Sequence, residues 1–217
     1  RRPLLLDHHG NVLQVIAGHA DIFAVDVKDG KWGSRHHLFR IEAGDIVPDL
    51  PSVVASSANG LCFIATGTEG ARVSLIRRSE LQSMDLAIRW IEQLARFVAG
   101  SAPRWQMTEL PEGEAELDAG EGRRGPMRGL VWLTVKRGAV RLMGVGAPCV
   151  AGGHPLPLTS ALWVEAVGER CAVSTTGQRP ADDQIWMSID QFHPRVVECV
   201  QDILAREAQS AVERLAH

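Results

Sequence analysis

The side chains best equipped for chemistry are eight histidines and four cysteines. Four of the histidines form two adjacent pairs, His8-His9 and His36-His37. Neighbours on a strand point to opposite faces, so neither pair can present two imidazoles to one metal without help from loops. A barrel-type metal site would need two histidines separated by one residue, a nearby glutamate and a third histidine from a later strand. His36, Glu42 and His154 come closest, with the wrong local spacing, and solvated or strand-edge histidines are the expectation. Cys62, Cys149, Cys171 and Cys199 lie far apart without CxxC spacing. They read as reduced, packed thiols of a cytosolic protein.

The chain contains no GxxxxGK[ST] phosphate loop, no GxGxxG after a strand, no GxSxG elbow and no HExxH helix. Serine, histidine and aspartate are present, but nothing places them in a triad. The sequence therefore names no catalytic residue, no cofactor-binding residue and no metal ligand, and the fragment is not expected to be an enzyme. With 23 basic against 26 acidic residues and a net charge of -3, no chain-wide basic field exists to hold nucleic acid. No apolar run approaches the ~20 residues that span a bilayer, and no signal peptide opens the chain. The chain starts at Arg1 and ends inside a helical pattern at His217, which suggests a piece of a longer polypeptide.

Positioning falls to strands and two helices. Apolar residues are 45% of the 217, enough for real cores, and the length suits two domains. VLQVIAGHADIFAVDV from Val12, the turn residues KDGKWG and then HHLFRI read as a β-hairpin, and LCFIATGTEGARVSLI from Leu61 to Ile76 adds two short strands broken at Gly67 and Gly70. Short strands between glycine turns favour a sandwich, barrel or jelly roll. From Ser83 to Ala99, Ala87, Trp90, Ile91, Leu94, Ala95 and Val98 fall on one helical stripe, with Ser83 as N-cap and Gly100 as stop. That helix should pack on the preceding sheet.

Residues 100–129 change character, with six Gly, three Pro and five Glu. This is the expected linker between a first domain, 1–99, and a second, 130–217, although Trp105, Leu110 and Leu117 could anchor an irregular strand. Beyond it the pattern repeats. LWVEAVGERCAVS from Leu162 aligns with LCFIATGTEGARVS from Leu61, so that Ala65 meets Ala166, Gly67 meets Gly168 and Val73 meets Val173; LTVKRGAVRLMGV at 133–145 follows LQVIAGHADIFAV at 13–25. A second helix is expected from Asp190 to Ala216, with Val197, Val200, Leu204, Ala208, Ala211 and Leu215 on one stripe and Pro194 tolerated in its first turn. Its length predicts that its far end meets another chain, another domain or the rest of a parent protein.

The fold class is thus mainly β with helices: two tandem β-roll modules, each followed by an amphipathic helix. This plan resembles the cyclic-nucleotide-binding fold, in which a Gly-Glu turn and a nearby arginine hold the cyclic phosphate. The matching stretches are Gly44-Asp45 with IVPDLPSVVASSANG, and Gly152-Gly153-His154 with PLPLTSAL, and neither contains an arginine. The usual mode of cyclic-nucleotide binding is therefore not expected.

PLLLD at 3–7, IAGHADIFAV at 16–25, GSRHHLFRIEAGD at 33–45, GLVWLTVKRGAVRLMG and LPLTSALWVEA resemble the N-terminal cytoplasmic region of ABC transporters that export bacteriocins with nitrile-hydratase-type leader peptides. The resemblance implies a position at the cytoplasmic face of the bacterial inner membrane. It also implies ATP and Mg only in an ATPase domain outside these residues. The partners it implies are the membrane-spanning and ATPase domains, a second copy or a peptidase-containing partner transporter, and the leader peptide. Two functions remain open: a regulatory or cargo-contacting accessory region, and a small-ligand sensor of the cyclic-nucleotide type.

Overall fold

A computed structural model describes residues 3–7, 10–50, 59–101, 107–120 and 122–215. The chain is mainly β with two helices and divides into two compact units, Arg1–Trp90 and Ile91–His217. The expected first domain ran to residue 99; the division falls earlier, inside the first helix.

In the first unit, β1 (Leu4–Leu5), β2 (Asn11–Ala17), β3 (His19–Lys28), β4 (Lys31–Glu42), β5 (Ile46–Pro48), β6 (Asn59–Gly67) and β7 (Arg72–Arg77) form two sheets, ordered β1-β6-β3-β4 and β5-β2-β7. Gly18 makes the corner between β2 and β3. Its φ is +71°, and a Cβ there would lie 3.0 Å from the Ala71 Cα, so only glycine permits this approach. The KDGK turn is a two-residue hairpin loop, with Asp29 at φ +50° and Gly30 at φ +72° joining β3 to β4. Positive φ at both positions matches the right-handed twist of the flanking strands. Val12, Val15, Ile22, Ile41, Ile46 and Phe63 form part of the core.

The first helix, α1 (Asp85–Ser101), starts where the spacing predicts, with the Ser83 Oγ accepting the Asp85 N–H at 3.3 Å. Every residue of the expected stripe is at most 1% exposed. Each such burial is worth about 1.5–3 kcal/mol for the larger side chains. Within the first unit, Trp90 packs edge-on against Phe39 of β4 at 5.6 Å, as packing on the preceding sheet requires. The helix runs through Gly100, which was expected to stop it.

The second unit contains β8 (Thr108–Glu109), β9 (Gly113–Asp118), β10 (Arg124–Gly125), β11 (Leu130–Leu142), β12 (Cys149–Val150), β13 (Leu156–Thr159), β14 (Val164–Thr176) and α2 (Asp182–Leu215), the strands forming one sheet. Three strands lie inside the stretch expected as linker. The weaker expectation of apolar anchors applies there: Leu110 and Leu117 are buried, and β9 pairs with β14 along Gly113–Asp118. Trp105 lies outside the described residues.

The α2 helix begins eight residues before the expected Asp190, which moves Pro194 from the first turn into the interior. An interior proline costs about 3 kcal/mol. Pro194 itself faces solvent, while Ile185, Ile189, Phe192, Val196 and Val197 on either side of it are at most 2% exposed, and this burial offsets the cost. Of the expected stripe, Val197 and Val200 are buried, Leu204 is half-buried, and Ala208 and Ala211 are exposed. Every residue from Ala205 to Arg214 is exposed.

Candidate functional site

Three polar side chains of α2, spaced four and three apart, share one face and grip the segment between β11 and β13. The Gln191 Oε1 accepts the His154 N–H at 2.8 Å, and its Nε2 donates to the His154 carbonyl at 2.9 Å. The Arg195 Nε–H donates to the Cys149 Sγ at 2.7 Å, and its Nη1 donates to the Gln191 carbonyl at 2.6 Å. The Glu198 Oε2 accepts the Ala147 N–H at 3.1 Å. Gly146, at φ +71°, allows that last contact; a Cβ there would lie 2.0 Å from the same carboxylate oxygen.

One turn further along α2 a cavity of about 350 Å³ opens, bounded by Cys199, Asp202, Ile203 and Arg206 on the helix and by Val98 of α1. Its size is within the range of small-molecule sites. The sheet side is the Met143–Val145 turn with Trp163, Glu165 and Arg123. Met143 is held at φ +52°, unusual for a residue with a side chain, and its N–H donates to the Trp163 carbonyl at 3.0 Å. The Arg123 guanidinium lies 4.7 Å from the centre of the Trp163 ring, a cation–π distance. Arg206 pairs with Asp202, and Arg141 approaches Glu165 at 3.8 Å. The cavity thus combines an aromatic wall, apolar floor and charges of both signs.

Burial disfavours the thiolate form of all four cysteines. Burial, reinforced by the Glu198 and Asp202 carboxylates, pushes the Cys199 thiol up to about 12. Burial also raises Cys149 above the usual thiol range, outweighing the lowering by Arg195. Burial does the same to Cys62 and Cys171. A thiol held protonated is a poor attacking group and a poor metal ligand.

His36 and His37, neighbours on β4, turn to different carboxylates of β3. His36 meets Asp26 at 3.2 Å, and His37 meets Asp21 at 3.2 Å, beside the Arg40 Nε–H donated to Asp21 at 2.9 Å. His8 and His9 lie outside the described residues. Glu42 ends β4 and His154, in the other unit, gives its backbone groups to Gln191. No cluster of three or more metal-ligating side chains occurs among the described residues.

The Gly44-Asp45 turn is internally consumed. Gly44 has φ +92°, and Asp45 accepts the Glu42 N–H at 3.0 Å and lies 3.7 Å from the Arg89 guanidinium. An arginine does reach this stretch, from a distant part of the sequence: Arg78 pairs with Asp49 at 2.5 Å. It is engaged with a carboxylate of the protein itself, and residues 51–58 lie outside the described set. Sequence reasoning missed Gln191, Arg195 and Glu198, although their spacing is a polar stripe beside the apolar one. It also missed Arg123, which no local pattern marks.

No protein-family description matches the chain, and no curated protein matches it. Solved structures are similar in part, three of them as follows. A cAMP-bound PfPKA-R chain shares 12% identity over 97% of this chain and 74% of its own, with TM-score 0.23. The regulatory domain of Toxoplasma gondii PKA with cAMP shares 15% over 96% and 82%, with TM-score 0.23. A cupin 2 conserved barrel domain protein from Leptotrichia buccalis shares 16% over 80% and 76%, again with TM-score 0.23. Likenesses at this level leave the fold to be described by its own strands.

Proposed function

We propose that this chain is a non-catalytic regulatory module, a pair of small β-roll-like units whose second member holds a small ligand and reports it through α2. The observation that supports this is the division of labour along one helix. Residues 191–198 grip the segment between β11 and β13, residues 199–206 wall the cavity, and residues 207–214 are exposed. A ligand that changes the Met143–Val145 turn acts on the segment that Glu198 holds, and so on the helix itself.

Thermal unfolding of the chain with a panel of cyclic nucleotides, other small molecules and divalent metals tests the reading. A ligand at about 100 times its Kd adds about 2.7 kcal/mol. A hit should be lost when Val98→Trp fills the cavity, and a flat panel removes the ligand-sensing part.

The exposed end of α2 supports a second form of the same reading, in which the module is a cytoplasmic accessory region of a peptide-exporting ABC transporter. Helix residues 205–214 would then meet the rest of the transporter, a second copy or a partner transporter. A leader peptide that alone shifts the melting favours cargo recognition. A monomer unchanged by removing residues 205–217 counts against self-association through the helix.

A further inference from the structure

The two units treat the same strand edge differently. In the first unit Val15 pairs with Val73 and Leu13 with Leu75. In the second Val135 pairs with Val173 and Leu133 with Thr175. Beyond Val173 and Thr175 the second unit adds β9, with Val173 opposite Ala115 and Thr175 opposite Gly113. Beyond β7, the last strand of its sheet, no further strand is paired among the described residues. The consequence is visible in exposure: Val73 is 37% and Leu75 51% exposed, against 1% for Val173 and 3% for Thr175.

We propose that β7 is a docking edge that takes an extended acidic segment of a partner protein as an added strand. Main-chain hydrogen bonds along a free edge supply affinity, and alternate side chains supply selectivity. The chemistry of the occupant is read from β9, which fills the equivalent place. Ala115 and Leu117 alternate with Glu114, Glu116 and Asp118, and the acids meet arginines, Arg137 to Glu116 at 3.0 Å and Arg170 to Asp118 at 2.6 Å. The β7 edge carries its own arginines at other positions, with the apolar Val73 and Leu75 between exposed Arg72 and Arg77; in the register of β9 on β14, Arg72 takes the place of Ala172, opposite Glu116. A second copy is a poor occupant. A second β7 would bring two more arginines and no carboxylate to the ladder, so no register gives Arg72 or Arg77 an opposite charge.

The test uses the whole 217-residue chain and a synthetic peptide copying residues 110–120. Hydrogen exchange should slow at residues 72–77 on adding the peptide, and binding should weaken at high salt. A scrambled peptide of the same composition should not protect. Arg72→Glu with Arg77→Glu should weaken binding by about tenfold or more and should admit a peptide carrying Lys in place of Glu. Val73→Asp, at an exposed position, gives a second variant with the same expected loss. No protection at β7, equal protection by the scrambled peptide, or protection only at β14 would overturn the proposal. So would concentration-dependent protection of β7 without peptide, which would assign the edge to a second copy.

Discussion

Val12 sits opposite Pro48 in the first unit and Trp132 opposite Pro157 in the second; Leu13 meets Val47 where Leu133 meets Leu156. These pairs, with the Val15–Val73 and Val135–Val173 pairs, set similar residues opposite one another in the two units. The units part company after the glycine corner. At Gly18 the first unit breaks the ribbon into two strands that enter different sheets, whereas at Gly138, φ +80°, the second bends one continuous β11 through a register shift. The first unit then extends β3 and β4 into a long hairpin whose outer part, Lys31–Arg35, is exposed. The second cuts the same region to a turn after Leu142 and ties it to α2. A long, solvated arm suits contacts with other molecules, and a short, gripped turn suits a cavity wall.

The largest expected effect separates the two turns. Gly146→Ala places a Cβ on the Glu198 carboxylate, at φ +71°. Left-handed strain of roughly 1–2 kcal/mol adds to a hydrogen bond worth about 1 kcal/mol. Gly30→Ala has the same sign of φ but open space around it, so it should cost only the strain. Urea midpoints of both variants measure the gap, and equal losses would mean that the grip of Glu198 contributes nothing. Next in size is the grip itself. Gln191→Leu removes two hydrogen bonds from the His154 N–H and carbonyl, which water can then reach, and should cost about 0.5–1.5 kcal/mol. It should also speed amide exchange at residues 147–154 while leaving the β3–β4 hairpin unchanged.

Thiol labelling sharpens the contrast in opening. All four cysteines are buried, Cys62 in the first unit and the others in the second. At mildly alkaline pH the native chain should react slowly at each, because burial holds every thiol protonated. Gln191→Leu should raise the labelling rate at Cys149 and leave Cys62 unchanged. Faster labelling at both would show that the units open together.

Much of the fold was legible because apolar periodicity and glycine punctuation are local. The α1 stripe, Ser83 at its start and the KDGK turn all follow from residues near in sequence. Pro194 misled because a local helix breaker was outweighed by burial on both sides of it, a tertiary effect. The 100–129 stretch reads as a linker by composition, yet Leu117 is inserted by pairing with Cys171, fifty-four positions on. The site was the least legible. Arg123 over Trp163 and Gln191 on His154 join residues about forty positions apart in types that surfaces commonly carry, and no spacing rule distinguishes them beforehand.

The smallest effect tests the exposed arm. Asp21 sits between Arg40 and His37, and the Arg40 hydrogen bond, with a smaller contribution from His37, holds its carboxyl below the usual carboxylate value although partial burial opposes this. A carboxyl whose folded value lies below its unfolded value binds fewer protons in the folded state. Its contribution is therefore present above the unfolded value near pH 4 and is lost as pH falls through the lower folded value. Stability of the first unit should decline below about pH 4 by a component that Asp21→Asn lacks. Because Arg40 and His37 are about half exposed, solvent screening keeps this component small. Urea midpoints from pH 6 to pH 2.5 for the chain and for Asp21→Asn should converge as the pH falls. Parallel curves over that range would mean that the hairpin's ion pairs do not hold the arm in place, and that its strand pairing alone does.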